Sequence, residues 1–230
     1  MVAITNFILI TLFAFIPSIV WLIFFLKEDL HPEPKRLIVF VFCAGALASI
    51  PALVLQLVFQ KFVAQPLDAF LLLILGIAII EEIFKFFAAY LSVKNEAAFN
   101  EPVDAMIYAI AAALGFATIE NLFVIGDKMY YLTLGNIMAS FSVLGFRFIG
   151  ATLLHGLTSA LAGYYWALGR KFGKNKRFIS LGLAAASAVH FFFNFAVYKF
   201  ENTNLFYPSL FLIFIAFFVL KDFSKLKSAK

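Results

Sequence analysis

Seven apolar runs divide this chain, most of them about as long as a bilayer-spanning helix, with little between them. They cover residues 4–26, 37–59, 67–92, 103–125, 136–169, 178–199 and 205–220. A transmembrane helix needs about 20 apolar residues, and all but the fifth run match that length. As a single helix the fifth would be about 51 Å long at 1.5 Å per residue. A break near Gly145 is therefore expected, with a short interfacial or re-entrant piece before it and a span over 146–169. Pro17 and Pro51 fall inside the first two runs and are expected to kink them. No run reads as a strand and no internal repeat is present. With 64% apolar and 13% charged residues, the 230-residue chain lacks the polar surface of a soluble fold. Its bias is apolar rather than charge-rich, which excludes disorder. A net charge of +5 without a soluble face to cluster on excludes a nucleic-acid module.

The expectation is an all-α polytopic helix bundle in the lipid bilayer, with about seven transmembrane helices. Residues 1–230 form one integral-membrane domain, and no nucleic-acid partner is expected. No Lys or Arg precedes the first run, which reads as a mature span rather than a signal peptide. The single cysteine, Cys43, has no partner for an internal disulfide and reads as a small buried hydrophobe.

The basic residues sort by loop. Thirteen of the 18 Lys and Arg lie in the first, third and fifth loops and the tail: Lys27, Lys35, Arg36, Lys94, Arg170, Lys171, Lys174, Lys176, Arg177, Lys221, Lys225, Lys227 and Lys230. Lys61, Lys128 and Lys199 occupy the alternate loops. The positive-inside rule then predicts the N-terminus outside and the C-terminus in the cytoplasm. These loops need no further role than topology and contact with anionic lipid.

Two basic residues, Lys85 and Arg147, lie inside runs, as do Glu81, Glu82, Glu120, His155 and His190. A charge at a helix centre costs roughly 2.5–3.5 kcal/mol on the insertion scale. Five of them, left alone in lipid, would cost roughly 12–17 kcal/mol. They must face one another or a wet cavity. Spacing supports convergence. Glu81 and Lys85 are i,i+4, and Glu82 and Lys85 are i,i+3. His155 follows Arg147 by about two turns, and Asn194 follows His190 by one. By depth, Glu81, Glu82, His155 and His190 fall near the membrane centre. Glu120 and Arg147 fall toward the outer half, where their opposite charges read as a structural ion pair. Two adjacent carboxylates against one Lys leave an excess negative charge that structure alone does not require.

A desolvated Glu has the character of a general base. A His can share its proton, and a second His with Asn194 can donate to an oxyanion. Such a set hydrolyses a peptide bond without a covalent intermediate. Thr158 and Ser159 follow His155, but hydroxyls that bond their own helix are the commoner case. Two His and a Glu are also a catalytic zinc set. Here the ligands are dispersed along the chain and no HExxH occurs, so zinc is disfavoured and no cofactor is expected.

These motifs, taken in order, resemble the PrsW-type intramembrane proteases, within the wider CAAX-protease and bacteriocin-immunity superfamily. Leu26-Lys27-Glu28-Asp29 with Pro32-Glu33-Pro34 resembles the family's first cytoplasmic loop. Glu81-Glu82 with Lys85 matches its EExxK element. Asp104 in EPVDAMIYA, Glu120-Asn121 after GFATI, and Arg147 with His155 follow, and His190 opens the last motif. The resemblance covers most of the chain. It implies a glutamic-type endopeptidase of a bacterial or archaeal cell membrane that cuts a membrane-embedded protein or peptide. An anti-sigma factor, cut in a site-1-type step, is the substrate it suggests. It implies Glu81 as base and Glu82 as its support or a helix clamp. His155 would position water, and His190 with Asn194 would form the oxyanion side. Lys85, Asp104, Glu120, Asn121 and Arg147 would form the supporting polar network.

Two other classes compete. A proton-coupled transporter would use the same buried acids and His as a relay, but should show inverted repeats with broken helices. A non-catalytic immunity or binding protein could keep the fold, but a decayed enzyme would be expected to lose a member of the Glu/Glu/His/His/Asn set.

Overall fold

A computed structural model describes residues 2–63, 69–128, 145–200 and 206–228. Among these residues the chain is all-helical. The helices are α1 (Val2–Leu26), α2 (Lys35–Val63), α3 (Ala69–Val93), α4 (Asp104–Lys128), α5 (Leu153–Phe172), α6 (Asn175–Phe200) and α7 (Phe206–Lys227). A single π turn, Phe148–Thr152, leads into α5. Each helix corresponds to one apolar run. Four helical segments are long and apolar enough to cross a membrane by length and composition: Lys35–Val63, Asp104–Gly126, Asn175–Phe200 and Phe206–Lys227. In α3 the apolar run is interrupted by Glu81, Glu82 and Lys85. Residues 145–147 are helical and lead through the π turn into α5; the expected break near Gly145 falls at the edge of the described residues. The interfacial or re-entrant piece before it falls outside the described residues. Pro17 and Pro51 lie within α1 and α2.

Helix α4 is the centre of the bundle. It packs against α1, α2, α3 and α5, and its stretch from Ala105 to Ala117 is buried throughout. Lipid offers no hydrophobic drive between helices, so tight packing of small residues does the work. The Ala-rich sequence of α4 supplies it. At Gly115 an added Cβ would lie 1.9 Å from the Phe42 carbonyl oxygen, and at Gly45 1.9 Å from that of Ala112. These two glycines let the backbones of α2 and α4 touch. The outer faces are apolar and exposed, as at Leu47, Leu57, Phe62, Ile213 and Phe217. A contiguous apolar surface of this kind is the face a bilayer covers. Cys43 lies on such an exposed face of α2, not in the core, because the inner face of that helix is taken by Val41, Phe42 and Gly45.

A tight turn sets the geometry that matters most. α5 ends at Gly173, which adopts φ +65°. Lys174 N–H returns to the Gly169 carbonyl at 2.9 Å, a left-handed helix ending that favours Gly. α6 starts two residues later, so α5 and α6 run back along one another. His155 lies 18 residues before Gly173 and His190 lies 17 after it. Equal distances from the turn place both at one level.

The loop-bearing ends also sort. Lys227 Nζ meets Glu28 Oε2 at 2.7 Å, and Arg170 Nη2 donates to the Phe99 carbonyl at 3.3 Å. Tyr108 donates to Glu33. The first loop, the third loop, the end of α5 and the end of α7 therefore share one end of the bundle. These are the regions that hold twelve of the thirteen basic residues; Lys230 falls outside the described residues.

Candidate active site

The α5–α6 turn brings the His155 and His190 rings to 5.3 Å between centroids, edge to face. Helix α3 lies against them and carries Glu81, Glu82 and Lys85. All five side chains are buried, Lys85 completely.

Glu82 is the anchor of the group. Its Oε1 accepts from Lys85 Nζ at 2.5 Å, from Thr158 Oγ1 at 2.9 Å and pairs with His190 Nδ1 at 2.7 Å. Of the two carboxylates i,i+3 and i,i+4 from Lys85, the nearer one in sequence takes the ion pair. An ionised carboxylate only accepts, so His190 donates from Nδ1 and turns the lone pair of Nε2 the other way. Carboxylate–imidazole pairs of this kind fix tautomer and ring orientation. Lys85 Nζ also lies 2.9 Å from His155 Nδ1. An ammonium only donates, so His155 carries its proton on Nε2 and gives it to Glu120 Oε2 at 2.9 Å.

Glu81 is placed differently. Its Oε1 accepts from Gln56 Nε2 at 2.9 Å. Its Oε2 is buried and has no hydrogen-bond partner among the described residues. That oxygen faces His190 Nε2 at 3.6 Å and His155 Nδ1 at 3.9 Å.

Glu120 does more than the outer ion pair expected of it. It holds Arg147 Nη2 at 3.3 Å and also reaches His155, so the two depths merge into one network. Asn121 accepts from Arg147 Nε at 2.5 Å and donates to Thr152 Oγ1 at 3.3 Å. Both contacts brace the π turn before α5. Trp21 Nε1 caps the Phe148 carbonyl within it at 2.7 Å. Turns of this type interrupt the helical ladder and often adjoin functional sites.

Asn194 is half-buried one turn beyond His190, and no hydrogen bond joins it to Glu81, Glu82 or either His. Asp104 does not join this group. It begins α4, sixteen residues or about 24 Å along the helix from Glu120. Gln56 was absent from the sequence reading, and Thr158 was read there only as a hydroxyl bonding its own helix. Gln56 had a signal, an amide inside an apolar run; Thr158 bonds both its own helix and Glu82.

The model of the PrsW family of intramembrane metalloproteases matches residues 33–221. The chain belongs to the PrsW family. Among curated relatives, the Protease PrsW of Bacillus subtilis is 27% identical over 212 residues, 89% of each chain. That of Geobacillus kaustophilus is 29% identical over 158 residues, 67% of this chain and 64% of the relative. That of Halalkalibacterium halodurans is 36% identical over 101 residues, 43% of this chain and 45% of the relative. No solved structure is significantly similar to the chain. As a PrsW-family member with bacterial relatives and four long apolar helices, it is an integral membrane protein.

The family's description as metalloproteases bears on the cluster itself. One donor atom each from Glu81, His155 and His190 lies within 4.8 Å of the others, all three residues buried. Ligands dispersed in sequence thus converge in space, which removes the ground on which zinc was disfavoured. The donor set fits a divalent cation: the unpartnered Glu81 Oε2 and the His190 Nε2 lone pair are free, while His155 Nδ1 is shared with Lys85.

Proposed function

We propose that this chain is an intramembrane endopeptidase in which Glu81 activates water against a peptide bond of a membrane protein. The observation that carries the reading is the unpartnered Glu81 Oε2, buried between two imidazoles whose other nitrogens are committed to Glu82 and Glu120. A buried acceptor without a donor is costly, and a water hydrogen-bonded there satisfies it. Glu81 takes a proton from that water as its oxygen attacks the carbonyl carbon. The electron pair of the C=O moves to oxygen, toward the Asn194 amide; His190, whose Nε2 bears only a lone pair, accepts from the attacking water rather than donating to the oxyanion. The C–N bond then breaks, and Glu81 returns the proton to the leaving nitrogen. Glu82 does not react; it holds His190 and Lys85 in place. Lys85 keeps Glu82 neutralised and fixes the tautomer of His155.

A second reading of the same residues is favoured by the convergence of Glu81, His155 and His190. These three would hold a divalent cation, with Lys85 withdrawing from His155 Nδ1. When bound, zinc supplies a Lewis acid and a water ionised near neutral pH. Cleavage that survives strong chelation, in protein shown metal-free by elemental analysis, favours the glutamic reading; loss restored by added zinc favours the metal one.

The substrate we infer is a membrane-anchored protein, with an anti-sigma factor cut in a site-1-type step as the specific candidate. We read seven spans, with the N-terminus outside and the C-terminus in the cytoplasm; the loop charges and the shared end of the basic regions support this. The test is proteomic. Membranes holding the Glu81→Gln chain should accumulate an intact single-span protein that the unaltered chain removes. Identical membrane proteomes would overturn the reading.

A further inference from the structure

A second group of carboxylates lies at the loop-bearing end, and the peptidase reading makes no use of it. Asp29 comes from the α1–α2 connection, Glu101 from the α3–α4 connection, and Asp104 from the first turn of α4. One oxygen from each lies within 4.8 Å of the others.

Three features separate this group from an ordinary acidic patch. First, its two aspartates are buried: Asp29 is 7% exposed and Asp104 1%. Second, each Asp has one oxygen fixed and one unused. Asp29 Oδ1 accepts from His31 N–H at 3.0 Å. Asp104 Oδ2 accepts from Asn100 and Glu101 N–H at 2.9 and 2.7 Å. Asp29 Oδ2 and Asp104 Oδ1 are buried and accept from no N–H or hydroxyl among the described residues, with the Glu33 carboxyl beside Asp104. Third, the charge is not compensated. Glu28, Glu82, Glu120 and Asp222 each pair with a Lys or Arg. Among the described residues no Lys or Arg pairs with Asp29, Glu101 or Asp104. Glu101 meets only the exposed His31, at 2.8 Å. Glu33 adds a fourth carboxylate, bonded to Tyr108.

We propose that Asp29, Glu101 and Asp104 form a calcium site that ties the α1–α2 connection to the start of α4. The donors are all oxygens, which selects a hard cation over zinc or copper. Mg²⁺ demands a near-ideal octahedron, keeps several waters and is usually held by one or two carboxylates, whereas Ca²⁺ accepts several carboxylates in flexible geometry. Three carboxylates drawn from two connections and a helix start suit Ca²⁺. The backbone N–H bonds hold each Asp with its free oxygen ready, so the cation replaces two unmet acceptors and offsets the crowded negative charge. The site is separate from Glu81, His155 and His190, and stands or falls independently of the peptidase reading.

The test uses the full chain purified in detergent, with Tb³⁺ as the probe and Tyr108 as the sensitiser. Saturable terbium emission displaced by Ca²⁺ is expected. Glu101→Gln and Asp29→Asn should each weaken terbium binding about tenfold or more, since affinity follows ligand charge. A His155→Ala/His190→Ala chain should bind as the unaltered one does. Ca²⁺ should raise the melting temperature of the unaltered chain and leave that of Glu101→Gln unchanged. Glu101 is half-exposed, so its variant is expected to fold and keeps the test decisive. Emission absent, emission undiminished in Glu101→Gln, or displacement by Mg²⁺ as effective as by Ca²⁺ would overturn the assignment.

Discussion

Glu82 Oε1 stands 2.7 Å from His190 Nδ1, so a carboxylate on α3 decides which nitrogen of an imidazole on α6 bears the proton. The same oxygen takes the Lys85 ammonium at 2.5 Å. Its neighbour in sequence, Glu81, has an oxygen with no partner among the described residues. Two adjacent carboxylates thus have opposite tasks, one clamping and one free to react.

Exchange of each for Gln should separate the tasks. Glu81→Gln should fold with a near-normal melting temperature and lose roughly 10²–10⁴-fold in cleavage rate, the usual worth of a general base. Glu82→Gln leaves the fully buried Lys85 uncompensated and should cost roughly 3–5 kcal/mol of stability as well as activity. Adding Lys85→Met to Glu82→Gln should recover part of the stability and none of the cleavage. Thermal melts and a cleavage assay on the same samples check all three; equal stability of Glu81→Gln and Glu82→Gln would refute the division.

Thr158 donates to Glu82 at 2.9 Å from the helix that carries His155. Thr158→Val keeps the shape and removes a hydrogen bond to a charged group, a loss of roughly 1.5–3 kcal/mol. Thr158→Ser, which keeps the hydroxyl, should restore most of it. Denaturation midpoints of the two variants side by side measure the difference.

The α2–α4 contact has no space for a methyl group at Gly115, where a Cβ would lie 1.9 Å from the Phe42 carbonyl oxygen. Gly115→Ala must push backbone apart and should cost roughly 1–3 kcal/mol or more. Gly126→Ala, with nothing within 4 Å, is the matched control and should behave as the unaltered chain. The yield of folded protein after detergent extraction distinguishes them.

Burial, with the nearby Asp104 and Asp29 charges, raises the Glu33 carboxyl from 4.5 to about 7, against the opposing Tyr108 hydrogen bond. Asp29 is raised too, chiefly by burial. Between about pH 4.5 and 7 the folded chain holds a proton that the unfolded chain has released. Stability therefore falls as pH rises through that window and levels off above it. Melts across this range in a chelating buffer should show the slope, and Glu33→Gln should flatten it.

Topology is open to a direct measurement. A cysteine introduced at Ser228, in a Cys43→Ala background, should react with an impermeant thiol reagent only after cells are opened. One at Thr5 should react in intact cells. The reverse pattern would invert the orientation derived from the loop charges.

The sequence by itself determined that the chain is helical, where its helices lie and that it belongs in a bilayer. Hydrophobic run length is a local property, and the burial demanded by lipid leaves few alternatives. It also singled out Glu81, Glu82, Lys85, Glu120, Arg147, His155 and His190, because a charge in an apolar run must be explained. Which of them meet was decided by tertiary structure. Helical spacing allowed Lys85 either carboxylate, and only packing against α5 and α6 gave it to Glu82. Depth along separate helices set Glu120 apart from His155, yet the π turn and the close α4–α5 packing bring them to 2.9 Å. Asp104 shares a motif with its neighbours in sequence but a location with Asp29, from a distant loop. Gln56 and Thr158 entered the site through helix rotation, which no periodicity in an all-apolar helix records. A helix apolar on every face carries no stripe to say which way it turns, so the partners of its few polar groups are fixed by close packing alone.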